Sequence, residues 1–363
     1  MKQKLRTGLV GCGKVGHLHA AALRNLPESE FVAVCARTPG KADAFAAKYR
    51  VAAFTDVNEM IAAEEVDAVC VCTPHPQHAA PAIAAARAGV HVLVEKPLAS
   101  SLADCDAMLA AARAGHAVLG TVCQRRFYPP CQRIRQAMDA GRLGAPILGT
   151  ATIFGWRDEA YYRSDPWRGS WRAEGGGVLV NQSPHQLDLL LWYLGEVEEV
   201  FGYWANLNHP YIEVDDTAAA VIRFRNGALG SVVVSNSQNP AINARVTVHG
   251  ANGASVGVQT DGGAMFVPGL SAITEAPFND LWTIRGEEDR LPQWKDEDAR
   301  LFASINPMEH FHRLQIQDFL RAILEGRQPS ITGEDGRRTV ELFTAIYRTA
   351  RDRKPVRFPL AAD

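Results

Sequence analysis

The chain has 363 residues, which exceeds the usual size of one domain and predicts two domains, each with its own apolar core. Its 38 lysines and arginines are mixed with 40 aspartates and glutamates, and a net charge of −2 argues against a dedicated nucleic-acid surface. No apolar run has the length of a secretory signal or a membrane span, so we expect a cytoplasmic protein without a membrane partner.

The seven cysteines are an odd number, and Cys70 and Cys72 alternate within a predicted strand instead of forming a Cys-x-x-Cys pair. This pattern favours buried thiols over disulfides or a zinc site. His75 and His78 have no further ligands at convincing spacing, so we predict no metal centre.

The first third of the chain alternates short apolar strands with alanine-rich amphipathic helices. Strands are predicted at 7–10, 31–35, 68–72 and 90–94, and helices near 17–25, 40–48, 77–88 and 101–114. Strands separated by helices pair in parallel through right-handed crossovers, which predicts a doubly wound Rossmann sheet. Ligands of such sheets bind beyond the carboxyl ends of the strands.

A glycine-rich turn follows the first strand. The residues Gly11-x-Gly13-x-x-Gly16 lie between this strand and a predicted helix, which is the context of a dinucleotide-binding loop. Gly11 allows the tight turn, Gly13 lets the backbone approach a pyrophosphate, and Gly16 lets the helix pack closely on the strand. The phosphates are expected at the helix N-terminus, where unpaired N–H groups favour negative charge.

Residues after the next strands carry further predictions. Arg37 stands where NAD-binding chains commonly place an acid, so it favours a 2′-phosphate and shifts the prediction weakly toward NADP, although arginine can also stack on adenine. In the segment that begins at Thr73 and Pro74, the threonine hydroxyl is expected to face the cofactor, and His78 either starts a helix or faces the cofactor.

Glu95, Lys96 and Pro97 follow the strand at 90–94. A lysine is usually a solvated surface charge, but this one lies at the carboxyl end of a buried strand. There its ammonium group can donate to a substrate hydroxyl and stabilise the developing alkoxide. We therefore predict a catalytic role for Lys96.

The pattern changes after residue 124, which predicts domains at 1–124 and 125–363. A connecting helix at 124–141 is followed by alternating strands, with hairpin signals at Asn226-Gly227 and Asn252-Gly253. The strands are predicted at 146–154, 200–207, 217–225, 228–236, 244–249 and 254–259, the helices at 307–325 and 334–351, and a long loop at 275–306. The second domain should be a mostly antiparallel open sheet with helices on one face.

Asn181, His185 and Asp188 fall within about 60° of one another if a single helix includes all three. Leucines project to the opposite side and would anchor the helix. Alternatively, Ser183 and Pro184 begin the helix and leave Asn181 in the preceding loop. In either case His185 is a candidate general base, and Asp188 lies beside it.

Aromatic residues and arginines crowd the segment that precedes this helix. They include Arg157, Tyr161, Trp167 and Trp171. Aromatic faces can stack on sugar rings, but core packing and a subunit contact explain such residues equally well. Their concentration in a predicted loop near His185 favours a substrate wall.

These motifs together resemble the glucose-fructose oxidoreductase, inositol dehydrogenase and MocA family. The resemblance rests on residues 11–16, Thr73-Pro74, 95–97, 124–127, 175–177 with His185 and Asp188, and 333–338. It implies an open sheet that often forms dimer or tetramer contacts, and cofactor contacts from Lys14, Val15, Pro74, Glu95, Lys96 and Gln124.

The resemblance also matches Lys96 and His185 to the family's catalytic lysine and histidine. Many members carry an aspartate where this chain has Asn181. An asparagine can hydrogen-bond a hydroxyl but cannot titrate, so the aspartate-dependent polyol mechanism does not transfer whole.

The predicted activity is hydride transfer between NAD(P)(H) and a secondary hydroxyl or ketone of a sugar, inositol or glycoside. His185 takes the hydroxyl proton, Lys96 polarises the oxygen and Asn181 orients it. Two alternatives stay open: an enzyme that recycles tightly bound NAD(H) through a keto-sugar, and a non-catalytic dinucleotide-sensing protein. A homodimer or homotetramer is expected.

Overall fold

The computed structural model describes residues 3–261, 266–267, 270–271 and 275–360. The chain forms two compact units. The first contains residues up to Gln124 together with Met308–Arg337, and the second contains Arg125–Pro307 and the residues from Arg338 onward. The change of sequence pattern after residue 124 predicts 308–337 in the second domain, whereas this segment packs within the first unit.

The first unit is built on a six-stranded parallel sheet of order β3-β2-β1-β4-β5-β6. Its strands are β1 Leu5–Val10, β2 Ser29–Cys35, β3 Ala52–Phe54, β4 Ala68–Val71, β5 His91–Val94 and β6 Leu119–Thr121. Its first helices are α1 Lys14–Asn25, α2 Pro39–Tyr49, α3 Val57–Glu64, α4 Ala79–Arg87 and α5 Leu102–Ala114. The predicted doubly wound sheet is confirmed, while β3, α3 and β6 were not predicted.

The strand order reverses beside β1, which pairs with β2 on one side and β4 on the other. Such a reversal opens a crevice at the carboxyl ends of the strands, because the flanking helices lie on opposite faces. The glycine loop after β1 and the Thr73 segment after β4 therefore share one edge of the sheet.

The second unit is built on an eight-stranded sheet of order β15-β12-β11-β7-β10-β9-β8-β16. Its strands are β7 Pro146–Phe154, β8 Val197–Ala205, β9 Thr217–Phe224, β10 Leu229–Ser235, β11 Asn243–Gly250, β12 Ser255–Gln259, β15 Phe278–Trp282 and β16 Val356–Arg357, with the separate pair β13 Phe266–Val267 and β14 Leu270–Ser271. Its helices are α6 Pro129–Asp139, α7 Glu159–Arg163, α8 Val178–Asn181, α9 Pro184–Leu194, α10 Arg290–Ser304 and α12 Gly333–Asp352, the last beginning within the first unit. Only β7 and β10 pair in parallel among the described strands of this sheet, which confirms the mostly antiparallel prediction.

The predicted long loop at 275–306 is wrong, because this segment forms β15 and α10. Trp282 of β15 is buried and packs edge-on against Trp294 of α10, with ring centroids 4.9 Å apart. Asp298 of α10 pairs with Arg133. These tertiary contacts stabilise a charged segment whose local pattern gave no regular period.

Helix α9 covers one face of the large sheet. Gly149 of β7 lies beneath it, and a Cβ atom at this position would lie 2.5 Å from the Leu194 side chain. The other face carries exposed apolar side chains, namely Tyr203 (64% exposed), Val221 (61%) and Leu229 (54%), which we call the open sheet face. Register places Val221 opposite Phe201 on the same side.

The helix α11 Pro307–Glu325 adds its apolar side to the core of the first unit, through Ile316, Phe319 and Leu320. Gln315 on this helix accepts a hydrogen bond from the Cys123 N–H and donates one to the Thr121 carbonyl. Helix α11 therefore packs beside β6 although the two elements are far apart in sequence. Among the described helices, none combines the length and apolar character that crossing a membrane requires.

Candidate functional site

The glycine loop between β1 and α1 has two crowded glycines and one open one. A Cβ atom on Gly11, whose φ is +109°, would lie 2.6 Å from the Cys72 backbone. A Cβ atom on Gly16 would lie 2.3 Å from the Gly11 carbonyl oxygen, whereas one on Gly13 meets no described atom within 4 Å. Protein packing therefore requires two of the glycines, and the space over Gly13 is open.

Helix α1 begins at this open position. Gly13 is its N-cap residue and supplies no side-chain hydrogen bond, and the side chains of Lys14 and Val15 are exposed. The first N–H groups of a helix have no partner within the helix, so this end is suited to an anion. The helix begins three residues earlier than the predicted start at His17.

Arg37 is exposed and lies two residues after the end of β2, just before the N-cap residue Thr38 of α2. The position is the carboxyl edge of the sheet, as the sequence predicts. The guanidinium group is accessible there to an anion or an adenine ring.

His78 joins two loops at the carboxyl edge of the sheet. Its ring is fully buried, with Nε2 2.8 Å from the Thr73 carbonyl and Nδ1 2.9 Å from the Pro97 carbonyl. The predicted cofactor-facing histidine thus has both ring nitrogens occupied by backbone oxygens. The Thr73 hydroxyl, also expected at the cofactor, donates to the Gln77 carbonyl.

Lys96 follows β5 and is half-buried. Its backbone N–H donates to the Glu95 Oε2 atom at 3.1 Å, and the other oxygen of this carboxylate accepts from His19 Nε2 at 2.8 Å. Burial opposes ionisation of Glu95, but His19, with smaller effects from His312 and Lys96, outweighs it and lowers the pKa of this carboxyl to about 2. A buried carboxylate therefore fixes the turn that carries the lysine.

His19, Glu95 and His312 form a buried cluster that sequence reasoning missed. One ligand atom from each lies within 4.8 Å of the others. The 2.8 Å contact between His19 and Glu95 is a hydrogen bond, and His312 Nδ1 lies 2.5 Å from the Met308 carbonyl. His19, Glu95 and His312 are far apart in sequence, so only the fold brings these three residues together.

In the second unit, α8 ends at Asn181 and α9 begins at Pro184, with Ser183 as its N-cap residue. The two predicted alternatives for this region therefore each hold in part. Asn181 and His185 are both buried and lie four residues apart across the junction. Gln182 and Ser183 keep right-handed helical backbone angles, so the two side chains project to the same side.

Asp188 lies one turn further along α9 and is 1% exposed. Its two oxygens accept hydrogen bonds from Arg126 Nε at 2.8 Å and Nη2 at 2.6 Å. The guanidinium group also lies over the Trp192 ring. Asp188, which the sequence predicts to contact the substrate, therefore forms an internal ion pair with Arg126.

The aromatic segment before α8 is partly buried. Tyr161 packs beneath the guanidinium groups of Arg157 and Arg168, whose Cζ atoms lie 5.3 and 4.3 Å from the ring centroid. Trp167 lies against Arg168, whereas Trp171 is 37% exposed. These residues combine core packing with exposed ring surface.

The position of Arg157 depends on a buried histidine that sequence reasoning missed. His209 is fully buried, with Nε2 2.7 Å from the Arg157 carbonyl and Nδ1 2.8 Å from Asp216 Oδ2. A carbonyl oxygen can only accept, so the ring donates to it. The contact fixes the start of the aromatic segment from a distant loop.

Glu174 is another residue that sequence reasoning missed. It is 1% exposed, and its Oε1 atom accepts from Asn181 Nδ2 at 2.5 Å. Its place directly before three glycines was the available signal, because a carboxylate beside a tight backbone turn is well placed to accept from N–H groups.

Comparison with known proteins identifies the relatives of this chain. Residues 5–122 match the model of the Gfo/Idh/MocA oxidoreductase family with an NAD-binding Rossmann fold, and residues 131–256 match the model of that family's C-terminal domain. The chain belongs to the Gfo/Idh/MocA family. It is therefore an oxidoreductase with an NAD-binding Rossmann fold.

Family members of similar length cover nearly the whole chain. Myo-inositol 2-dehydrogenase of Thermotoga maritima is 27% identical over 97% of this chain and 98% of its own. 1,5-Anhydro-D-fructose reductase of Ensifer adhaerens is 28% identical over 95% of this chain and 96% of its own. The WlbA dehydrogenase of Bordetella pertussis, solved with NADH and UDP-GlcNAcA, has a TM-score of 0.82 and 30% identity over 99% of this chain and 100% of its own.

The first unit fits the coenzyme that this family binds. A side chain at Gly13 would fill the open space at the α1 N-terminus, although no described protein atom requires a glycine there. The amide oxygen Oε1 of Gln124 is buried and has no hydrogen-bond partner among the described residues. Both features suit a ligand that brings phosphate oxygens and hydrogen-bond donors.

Proposed function

We propose that this chain transfers hydride between a nicotinamide coenzyme and a secondary hydroxyl or ketone of a sugar, inositol or glycoside. The relatives named for inositol and anhydrofructose, and the neighbour solved with a nucleotide sugar, support this substrate class. The observation that carries the proposal is a half-buried lysine held at the carboxyl edge of the coenzyme-binding sheet.

The proposed coenzyme contacts lie along that edge. The loop from Gly11 to Gly16 and the α1 N-terminus would hold the phosphates, and Gln124 would bind nearer the reacting end. The nicotinamide ring, when bound, supplies the carbon that exchanges hydride with the substrate. Arg37 would lie near the adenosine ribose, and we propose that it favours a 2′-phosphate and hence NADP.

In the proposed mechanism, side chains of the protein move the proton of the substrate hydroxyl and stabilise its oxygen. His185 removes the proton from the substrate hydroxyl during oxidation and returns it during reduction. The Lys96 ammonium group donates to the same oxygen and stabilises its developing negative charge. Asn181 orients the hydroxyl between them.

The open sheet face supports a further proposal, that the protein is a homodimer or homotetramer. Tyr203, Val221 and Leu229 expose apolar side chains on paired strands of this face, where the exposed Arg223 lies opposite Leu229. Large exposed apolar patches are typical of protein contacts. We also propose a cytoplasmic location, in keeping with free thiols at all seven cysteines.

A Lys96→Ala variant tests the proposed function. With a panel of sugars, inositols and glycosides, loss of the ammonium group should lower kcat by about 100-fold or more, because one donor to a developing oxyanion is removed. NADH binding, followed by fluorescence, should stay within about threefold, since most coenzyme contacts come from elsewhere.

Lys4→Ala is the matched control, because this lysine is exposed just before β1, at the opposite end of the strand from the glycine loop. Equal turnover of the Lys96→Ala variant and the control would contradict the role. Turnover without added coenzyme would instead favour an enzyme that recycles a bound one.

A further inference from the structure

Glu174 lies behind Asn181 in the second unit. Its Oε1 atom accepts from Asn181 Nδ2 at 2.5 Å, and its Oε2 atom accepts from the Gly169 N–H at 2.6 Å. The backbone contact fixes one end of the carboxylate. The other end is therefore aimed at the Asn181 amide.

The Asn181 amide group is held from a second side. Its Nδ2 atom also lies 3.1 Å from the Tyr161 Oη atom. That oxygen is itself held by Arg168 Nη1 at 2.5 Å and Gln182 Nε2 at 3.2 Å. Both hydrogens of the amide are thus directed to fixed oxygens.

An amide with both hydrogens so directed has one defined orientation. Its Oδ1 atom can only accept, and an amide oxygen can accept two hydrogen bonds. A substrate hydroxyl near Asn181 would therefore meet an acceptor and not a donor. This orientation requires that Glu174 accept, which an ionised carboxylate does with either oxygen.

The ionisation of Glu174 is finely balanced. Burial raises its pKa to about 7, against the Gly169 N–H, the Arg168 charge and the Asn181 hydrogen bond, while Asp215 adds repulsion. The tyrosines that face it are Tyr161, Tyr162 and Tyr347. No described lysine or histidine is among the main groups that shift it.

We infer that Glu174 is a positioning residue of the reaction, whose ionised carboxylate holds the Asn181 amide with its oxygen toward the substrate hydroxyl. The inference rests on the proposed function. Because Oε2 accepts from the Gly169 N–H, the proton of a neutral Glu174 would lie on Oε1, where the O–H would compete with Asn181 Nδ2 and release the amide from this orientation.

The first test replaces the acceptor. In Glu174→Gln, the side chain keeps an oxygen for the Gly169 N–H but turns an NH2 group toward Asn181, so two donors face each other. We expect kcat to fall about 10- to 100-fold, the loss of one hydrogen bond to a charged group. The Kd for NADH should not change.

The direction in which kcat changes with pH tests which ionisation state of Glu174 acts. Since the acting form is the carboxylate, wild-type kcat should rise with pH through about 7. This component of the rise should be absent in Glu174→Gln. Glu341→Gln is the matched control, because Glu341 is also buried in the second unit and accepts from a backbone N–H, that of Leu360.

A double variant separates positioning from structural damage. Glu174→Gln with Asn181→Asp exchanges donor and acceptor, so that the introduced amide donates to a carboxylate that still presents an oxygen to the substrate. We expect kcat to recover to within about tenfold of wild type. A purely structural role would not recover in this way, and a swap that folds without recovering would overturn the inference.

Thermal melting gives a readout that needs no turnover. Glu174 has a folded-state pKa of about 7 against an ordinary 4.5, so its stability contribution is lost as pH rises across this interval. The Tm of Glu174→Gln minus the Tm of wild type should therefore increase from pH 4.5 to 7. A Tm difference that stays constant would contradict the titration of Glu174 in this pH interval. A wild type that is inactive on every sugar and polyol would overturn the proposed function alone.

Discussion

Single side chains at the candidate site differ in how far local sequence specifies them. Lys96 and Arg37 are where the strand pattern predicts, because a residue after a parallel strand must emerge at the carboxyl edge. The partners of His78 and Asp188 could not be predicted, since the residues that bind them come from other elements.

Arg37 provides a prediction at the scale of one residue. Arg37→Ala should weaken NADP binding about tenfold or more and leave NAD binding within about threefold, because a guanidinium group binds a 2′-phosphate through charge-assisted hydrogen bonds. Isothermal titration with both coenzymes measures this. Unchanged discrimination would exclude a 2′-phosphate contact.

Arg24→Ala is a suitable control for the Arg37 variant. Arg24 is also an exposed arginine of the first unit, but it lies in the last turn of α1, away from the carboxyl edge of the sheet. The control should alter neither Kd.

The strand, glycine loop and helix at the start of the chain act as one element. Sequence predicted this β1-to-α1 unit because glycine spacing, strand and helix signals agree. The structure agrees with the separate roles predicted for the three glycines, since a Cβ atom clashes at Gly11 and Gly16 but not at Gly13.

Two alanine variants test this division. Gly16→Ala should lower the free energy of unfolding by about 2–3 kcal/mol, because the added methyl group overlaps a backbone oxygen within the α1 packing. Gly13→Ala should cost about 1 kcal/mol or less, the effect of alanine at an N-cap. Denaturant unfolding without coenzyme measures both.

In coenzyme binding the order of the two variants should reverse, with Gly13→Ala the more damaging. Gly13→Ala should weaken NADH binding at least about tenfold, because the methyl group occupies the space proposed for the phosphates. If Gly13→Ala binds NADH as wild type does, the phosphate position is wrong.

At the scale of the whole molecule, the open sheet face supports an assembly prediction. Val221→Asp places a charge amid exposed apolar residues and should shift the protein to smaller species in sedimentation velocity runs. The isosteric control Val221→Thr should keep the assembly, as threonine suits a strand equally well. A wild-type monomer, or an unaltered Val221→Asp oligomer, would contradict this prediction.

Sequence by itself determined the doubly wound sheet, the antiparallel second sheet and the motif residues at strand ends, because periodicity and glycine spacing are local properties. It did not determine that α11 completes the first unit, that 275–306 folds into β15 and α10, or that Glu174 sits behind Asn181. Those outcomes depend on which distant surfaces meet, and only the tertiary structure supplies the burial and hydrogen-bond partners that decide them.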